Sequence, residues 1–557
     1  MGSTLIRKSL KKVLLDYFPG NPRSVQKVIL GRVESAIKSG YKKIIIQSPT
    51  GTGKSFLAAT IARWLGSSSI LTATTELQDQ YSKDFAYMRT VRGNTHFPCL
   101  QLDSVDSCNK GLCYDPKTEE NCSYKPHKSL LTIEKKGTLK EKISYMPHNF
   151  SEPCHYYFQK YAGEIASHTV YNYAEFFSSV FYTKDAPNKA ALIFDEAHAI
   201  EDKIVDFVSL ELIRSEVEKI GLQMPEGQQG LETWIGFAND VDKAYTNAIS
   251  ELKSIIEENS VGNTATSKNL AEIEGKHDRL SYVLKKMKDK KENFVISKAT
   301  LDKNGSIFHI SIEPIDVGIY LNDVYPFGDF VVFMSATIDD QMFCKSIGQS
   351  KEKCAFIQVK NSPFPVQSRP VHFLNVARLN KNLMESAMPK MISKIDEIMN
   401  KHGTEKGIIL TTSNKQIDDI VQGVSLRNAQ RFYRTGNELT RSALMELQKN
   451  SDTPTVIISP SMYEGIDLKD EMSRFQIIVK APYLDLSNGR VSAKLKLDPQ
   501  WYAYRSVMKL VQGAGRSIRH ENDFAITYIL DESATDLIKR ANTMLPQWFK
   551  ESIIETT

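Results

Sequence analysis

An α/β fold built on two parallel, doubly wound sheets is what the sequence predicts, and three observations carry that expectation. Short apolar strands alternate with amphipathic helices in two separate runs, the signature of βαβ units. A glycine-rich turn around Gly51 and Gly53 joins one of these strands to a helix. Two stretches of different character, one rich in cysteine and one in Glu and Lys, interrupt the first run. The chain has 557 residues, too long for one core and suggestive of about three or four domains.

Taken in order, residues 44–47 read as a buried strand, 54–65 as a helix, 69–73 as a second strand and 76–85 as a second helix. From about 94 to 160 the pattern gives way to Cys, Pro, Asn and Lys, as in an insertion. Strand and helix signals resume at 168–177 and 190–194. Segments 251–259 and 269–291 have helical period within a stretch, 205–300, that reads as a separate, mainly helical insert. Strand signals return at 307–312 and 330–334. A second α/β run extends from about 368 to 550, with strands at 407–412, 455–459, 475–480 and 525–530.

Composition narrows the class. Hydrophobic residues make up 41% and charged residues 25%, as in ordinary globular proteins. No apolar run approaches the ~20 residues that span a bilayer, which argues against a membrane protein. Residues 1–20 carry Arg7, Lys8, Lys11, Lys12 and Asp16 and lack the apolar core of a secretory signal. The net charge of +5 permits a nucleic-acid partner without demanding one. Of seven cysteines, five (Cys99, Cys108, Cys113, Cys122 and Cys154) cluster, whereas Cys344 and Cys354 stand apart. Without a secretory signal, such a cluster points to a metal or iron–sulfur site rather than to disulfides.

The sequence Ser48-Pro49-Thr50-Gly51-Thr52-Gly53-Lys54-Ser55 follows a strand and opens a helix, the context that makes a phosphate-binding loop. Gly51 and Gly53 let backbone N–H groups close on phosphate oxygens at a helix N-terminus. Lys54 would reach the outer phosphates of ATP, and Ser55 would hold Mg²⁺. Ser48 stands where the usual spacing has its first glycine. Asp195-Glu196-Ala197-His198 ends an apolar strand; Asp195 would serve the metal and Glu196 would polarise the attacking water. Gln512, Arg516 and Arg519 are spaced to share one helical face, where two arginines suit clamps on a γ-phosphate. Ser335-Ala336-Thr337 and Glu464-Gly465-Ile466-Asp467 each follow a strand: the first as a coupling pair, the second with Gly465 and Asp467 near nucleotide or nucleic acid. Arg23 and Gln26 are candidates for reading adenine.

The ordered set Arg23-x-x-Gln26, SPTGTGKS, TATTELQDQ (72–80), DEAH, SAT, EGID and QxxGRxxR resembles superfamily 2 helicases. More narrowly, the chain resembles the XPD/DinG family of iron–sulfur helicases. That narrower likeness rests on the cysteine insert, Arg92-Gly93-Asn94 before Cys99, Cys154-His-Tyr-Tyr, Val170-Tyr-Asn-Tyr173 and Ser362-Pro-Phe-Pro365. Asp531-Glu-Ser departs from the family's frequent Asp-x-Arg at that point.

The resemblance implies two RecA-like motor domains. The first takes residues 1–95, 160–205 and 305–345, and the second 346–557. An iron–sulfur insert occupies 96–159 and an arch-like helical insert 206–304. It implies ATP, Mg²⁺ and a [4Fe–4S] cluster held by four of the five clustered cysteines. Cys99 and Cys154 match the family's outer ligands by their flanks, while the middle two stay open among Cys108, Cys113 and Cys122. Zinc is the alternative metal. It further implies a monomer in the cytoplasm, or in the nucleus of a eukaryote, moving 5′→3′ on single-stranded DNA and opening forked duplex. The rival readings are an RNA helicase and an ATP-gated clamp or translocase that leaves strands paired. Lys110, Lys117, Lys125, Lys128, Lys135 and Lys136 suit either phosphate contacts or a solvated surface. For most of Tyr124, Tyr156, Tyr157, Tyr171 and Tyr173, core packing is the expectation over base stacking.

Overall fold

The computed structural model describes residues 12–101, 108, 122–135, 141–145, 152–227, 229–258, 264–380, 382–434, 440–463, 466 and 468–554. Two seven-stranded sheets dominate it, each entirely parallel. Across the first sheet the strands run Cys354–Gln358, Lys43–Gln47, Gly328–Ser335, Lys189–Asp195, Ser68–Thr72, His168–Asn172 and Arg89–Val91. The second runs Phe432–Arg434, Val456–Ser459, Gly407–Leu410, Phe475–Ile478, Ile526–Asp531, Val371–Ala377 and Ile553–Ile554.

Strands covered on both faces read as unbroken apolar runs, and the alternation assigns each residue to a side. In Lys43–Gln47, Ile44 and Ile46 join the core around Trp64, Leu57 and Ile61, while Ile45 joins the opposite core around Phe176, Phe194 and Phe333. The second sheet divides likewise, Ile408 and Leu410 on one side and Ile409 on the other.

Two features depart from the sequence reading. The strand Cys354–Gln358 pairs in parallel with Lys43–Gln47, so the first sheet reaches past residue 345, where the lobe boundary was expected. The helical insert forms a long hairpin, Leu231–Glu258 and Thr264–Asp289. It stands on a three-stranded antiparallel sheet of Leu210–Ile213, Ile307–Pro314 and Phe294–Leu301, which carries the insert's base past residue 304. Trp234 of the hairpin is fully buried in the same core as Phe194 and Phe333 of the first sheet, so the insert shares its core with the lobe. Among the described residues, no helix is long and apolar enough to cross a membrane.

Candidate nucleotide site between the lobes

The strand Lys43–Gln47 ends in the loop that the sequence singled out. Gly51 and Gly53 take φ of +78° and +76°, in the left-handed region that glycine enters without penalty, and Gly53 caps the helix Lys54–Leu65. Inside the loop, the Thr52 hydroxyl lies 2.8 Å from the Pro49 carbonyl and 3.0 Å from Ser48 Oγ. Arg23 and Gln26 grip the loop from outside. Arg23 Nη1 donates to the Gly51 carbonyl at 2.9 Å, and the Gln26 amide donates to the Thr52 carbonyl at 2.9 Å. Phe364 presses on the loop: a Cβ on Gly51 would lie 2.0 Å from its ring.

The strand Gly328–Ser335 lies between the loop strand and Lys189–Asp195, which brings Ser335 and Asp195 to the same sheet edge as the loop. Lys54 Nζ is 3.5 Å from Glu196 Oε1. Asp195 is buried; Tyr81 donates to its Oδ2 at 2.8 Å and the Glu196 backbone N–H to its Oδ1 at 3.0 Å. Tyr173 donates to the Asp195 carbonyl at 3.0 Å. Burial, then the charge of Glu196, push the Asp195 carboxyl up to about 6. Burial would raise Glu196 too, but Lys54, His198 and Arg516 outweigh it and hold that carboxyl below the usual range. Glu196 is thus held ionised beside Lys54, and the carboxylate of Asp195 and the hydroxyl of Ser55 are hard oxygens of the kind that could hold Mg²⁺.

A hydrogen-bonded path crosses from this lobe to the next. Glu196 Oε2 lies 3.3 Å from His198 Nδ1, which lies 2.8 Å from Ser335 Oγ. Ser335 Oγ accepts from the Thr337 backbone N–H at 3.2 Å. Thr337 Oγ1 accepts from the Gln512 amide at 2.9 Å, a buried contact between the lobes. Arg516 and Arg519 do not continue the helical face expected of them, because the helix Pro499–Ala514 stops before either. Arg516 turns back, its Nε donating to the Gln512 carbonyl at 2.9 Å. Both guanidiniums reach the Ile466 carbonyl, Arg516 at 3.4 Å and Arg519 at 2.9 Å. Glu464, Gly465 and Asp467 around it lie outside the described residues. Pro49, Thr50 and Ser55 sit in the loop and first helical turn as the sequence order requires.

Tyr81, Tyr173 and Phe364 were not singled out for this site by sequence reasoning. Tyr81 follows directly on the TATTELQDQ segment and Phe364 lies in Ser362–Pro365, so a motif flagged their neighbourhoods but not their contacts. The aromatic expectation divides by place: Tyr171 and Tyr173 are core residues, whereas Tyr156 and Tyr157 pack edge to face in the cysteine insert, ring centroids 5.0 Å apart.

Cys99, Cys108, Cys122 and Cys154 line one cavity together with Tyr124 and Tyr157. Cys108 Sγ and Cys154 Sγ are 3.8 Å apart, well beyond a disulfide bond of about 2.05 Å. Cys113 lies outside the described residues. Four convergent thiols, three of them buried, are a donor set suited to a thiolate-bound metal group. Cys344 and Cys354 belong to the first lobe's core.

Comparison with known proteins adds family context. A model of the helicase C-terminal domain matches residues 395–552, and one of the type III restriction enzyme res subunit matches residues 20–225. The chain is 33% identical over 119 residues to an ATP-dependent DNA helicase CHL1 of Candida albicans, across 18% of this chain and 14% of that one. It is 32% identical over 106 residues to a regulator of telomere elongation helicase 1 homolog of Caenorhabditis briggsae, across 16% of this chain and 10% of that one. The matched segments thus span a small part of either relative. A solved XPD helicase is similar across 97% of this chain and 100% of that one, with a TM-score of 0.59 and 12% identity. S. tokodaii Xpd4 is similar across 96% and 100%, with a TM-score of 0.56 and 15% identity. At such identities the likeness is one of fold.

Proposed function

We propose that the chain is an XPD-like superfamily 2 helicase, an ATP-hydrolysing motor that moves 5′→3′ on single-stranded DNA and opens forked duplex; the two matching domain models and the XPD-like fold support that reading. The observation that carries this reading is the path from Glu196 through His198, Ser335 and Thr337 to Gln512. It ties the group facing the phosphate loop to the second lobe.

In this mechanism the triphosphate enters the loop, and Lys54 exchanges its Glu196 partner for phosphate oxygens. Glu196, held ionised, then takes a proton from the attacking water. Gln512 orients that water and Arg516 brings its charge to the departing phosphoryl group, the electrostatic work on which phosphoryl transfer depends. Ser55 and Asp195 would hold Mg²⁺, which would supply charge neutralisation at the phosphates. Because the two ends of the path lie on different lobes, loss of the phosphate relaxes the seam, and grips on the strand alternate.

We assign Cys99, Cys108, Cys122 and Cys154 as the residues that would hold a [4Fe–4S] cluster, whose contribution is to lock a short insert into one shape. Lys54→Ala is expected to abolish ATP hydrolysis stimulated by single-stranded DNA while leaving DNA binding intact. Unwinding of 5′-tailed but not 3′-tailed duplex, with iron measured on the same sample, tests polarity and cluster together. Hydrolysis retained by Lys54→Ala defeats the motor reading. A colourless, zinc-loaded protein defeats the cluster, and preference for RNA defeats the DNA assignment.

A further inference from the structure

The most heavily contacted carboxylate in the seam is not part of the nucleotide machinery. Glu201 lies on the helix Ile200–Val208, which follows the Asp195–Glu196 turn, and is 1% exposed. Its partners come from the second lobe. Oε1 accepts from Arg490 Nη2 and Lys494 Nζ, each at 2.6 Å, and Oε2 from Trp501 Nε1 at 3.1 Å, with Arg505 Nη1 at 3.5 Å. Arg505 also pairs with Asp202. Burial would raise the Glu201 carboxyl, but Lys494, Arg490 and Arg505 outweigh it and keep it below the usual carboxylate range.

Geometry connects this cluster to the nucleotide seam. Trp501, Arg505 and Gln512 lie on the helix Pro499–Ala514 at spacings of four and seven residues, close to one face. Arg505 and Gln512 are thus separated by two turns, about 10 Å along a rigid axis. At the near end Glu201 grips Trp501 and Arg505; at the far end Gln512 meets Thr337, and the chain then turns so that Arg516 bonds back to the Gln512 carbonyl. Glu201 is anchored to the same turn that holds Asp195 and Glu196. Arg490 adds a third attachment, its Nε donating to the Pro314 carbonyl at 2.8 Å. Its helix, Gly489–Leu497, sits so closely on the strand Phe294–Leu301 that a Cβ at Gly489 would lie 2.0 Å from the Ile296 carbonyl.

We propose that Glu201 is a positioning residue of the motor, a fixed anchor between the lobes that sets Gln512 and Arg516 in register with Asp195 and Glu196. The proposal rests on the motor reading above. Separating the lobes at this point would leave one buried anion and several buried cations without their partners, so the cleft opens about the anchor rather than through it. Another ion pair between the lobes, Lys345 with Asp498 at 2.5 Å, has its lysine 66% exposed and does not share that constraint.

The test compares Glu201→Gln, Trp501→Phe and Lys345→Ala in the full chain, using oligo-dT as the stimulating strand and a fluorescent ATP analogue for binding. A misregister on the order of 1 Å can lower turnover about 100-fold, and that is the expected loss of kcat in Glu201→Gln. Its ATP affinity and KM stay within about threefold, because the phosphate loop with Lys54 is untouched by the change, and one nucleotide still binds per folded chain. Trp501→Phe, which leaves every charge in place, shows a smaller fall in kcat of the same kind and serves as the readout if Glu201→Gln does not fold. Lys345→Ala matches wild type. Unchanged kcat in both seam variants overturns the proposal, as does a fall that follows lost nucleotide stoichiometry, the mark of simple unfolding. A wild-type Glu201→Gln beside an inactive Lys54→Ala removes the anchor and leaves the motor; an active Lys54→Ala removes the motor itself.

Discussion

Glu196 carries its backbone at φ +52°, a region that a residue with a Cβ enters at a cost of about 1–3 kcal/mol. That strain turns the carboxylate off the end of its strand toward Lys54 and His198. Glu196→Gln keeps the shape and removes the base. ATP binding is expected to hold within a few fold while turnover falls about 10²–10⁴-fold, the usual worth of general-base catalysis. Nucleotide binding and single-turnover phosphate release on the same preparation check this, and turnover near wild type would take the base assignment away from Glu196. At this scale the motifs named the residues but not their partners. Gly51 is legible as a loop glycine; that it also leaves room for the Phe364 ring depends on a contact between segments far apart in sequence. Tyr81 is hidden for the same reason, since its bond to Asp195 joins residues 114 positions apart.

Among the elements, those with strong periodicity were the readable ones. The helix Lys54–Leu65 matches its expected span, and the four strands expected in the second sheet fall within a few residues of their places, whereas its strands Val371–Ala377, Phe432–Arg434 and Ile553–Ile554 went unread. The strand Cys354–Gln358 escaped because Lys351, Glu352 and Lys353 precede it and Gln358 ends it, leaving too short an apolar run. The helix Pro499–Ala514 misled in the other direction: spacing suggested that it continue through Arg519, yet Gly515 caps it and Arg516 returns to the Gln512 carbonyl. In the cysteine insert, where no period exists to read, the shared cavity of Cys99, Cys108, Cys122 and Cys154 is what supports the proposed ligand set. Cys108→Ser is expected to purify with little iron and Cys113→Ser with nearly the full amount, measured by metal analysis and visible absorbance; equal loss in both would reopen the choice of ligands. The helix Ile200–Val208 gives a pH prediction. Although burial opposes it, Glu201 is held below its ordinary value by its cationic neighbours. A depressed carboxylate contributes stability above its unfolded value of about 4.3, and loses that contribution as pH falls below it. The gap in unfolding free energy between wild type and Glu201→Gln should therefore narrow from about pH 6 to pH 3 in urea titrations, and a gap independent of pH would mean that the charge is not what holds the helix.

For the molecule as a whole, the sequence divides the chain into lobes and inserts more cleanly than the structure does. Composition marks 205–300 as foreign to the α/β run, and the helices are there, but composition carries no information about which faces are shared. The Tyr282 ring packs on Phe181 at 5.3 Å between centroids, and its hydroxyl donates to Asp323 at 2.9 Å. Arg279 reaches the Tyr182 hydroxyl at 3.2 Å and the Asp206 carbonyl at 3.1 Å, and Lys286 pairs with Asp323 at 2.7 Å. The hairpin is therefore seated on the helices that back the Asp195 strand, and cannot unfold without uncovering Phe181 and Phe207. Tyr282→Ala removes a half-buried ring and is expected to cost about 2–3 kcal/mol, below the 3–5 kcal/mol typical of a fully buried aromatic. Because the core is common, that loss should move one cooperative urea transition, with ATP binding and the hairpin's helical signal disappearing together. Two transitions, the hairpin melting first while the phosphate loop still binds ATP, would show that the insert is an independent arch resting on the lobe rather than part of its core.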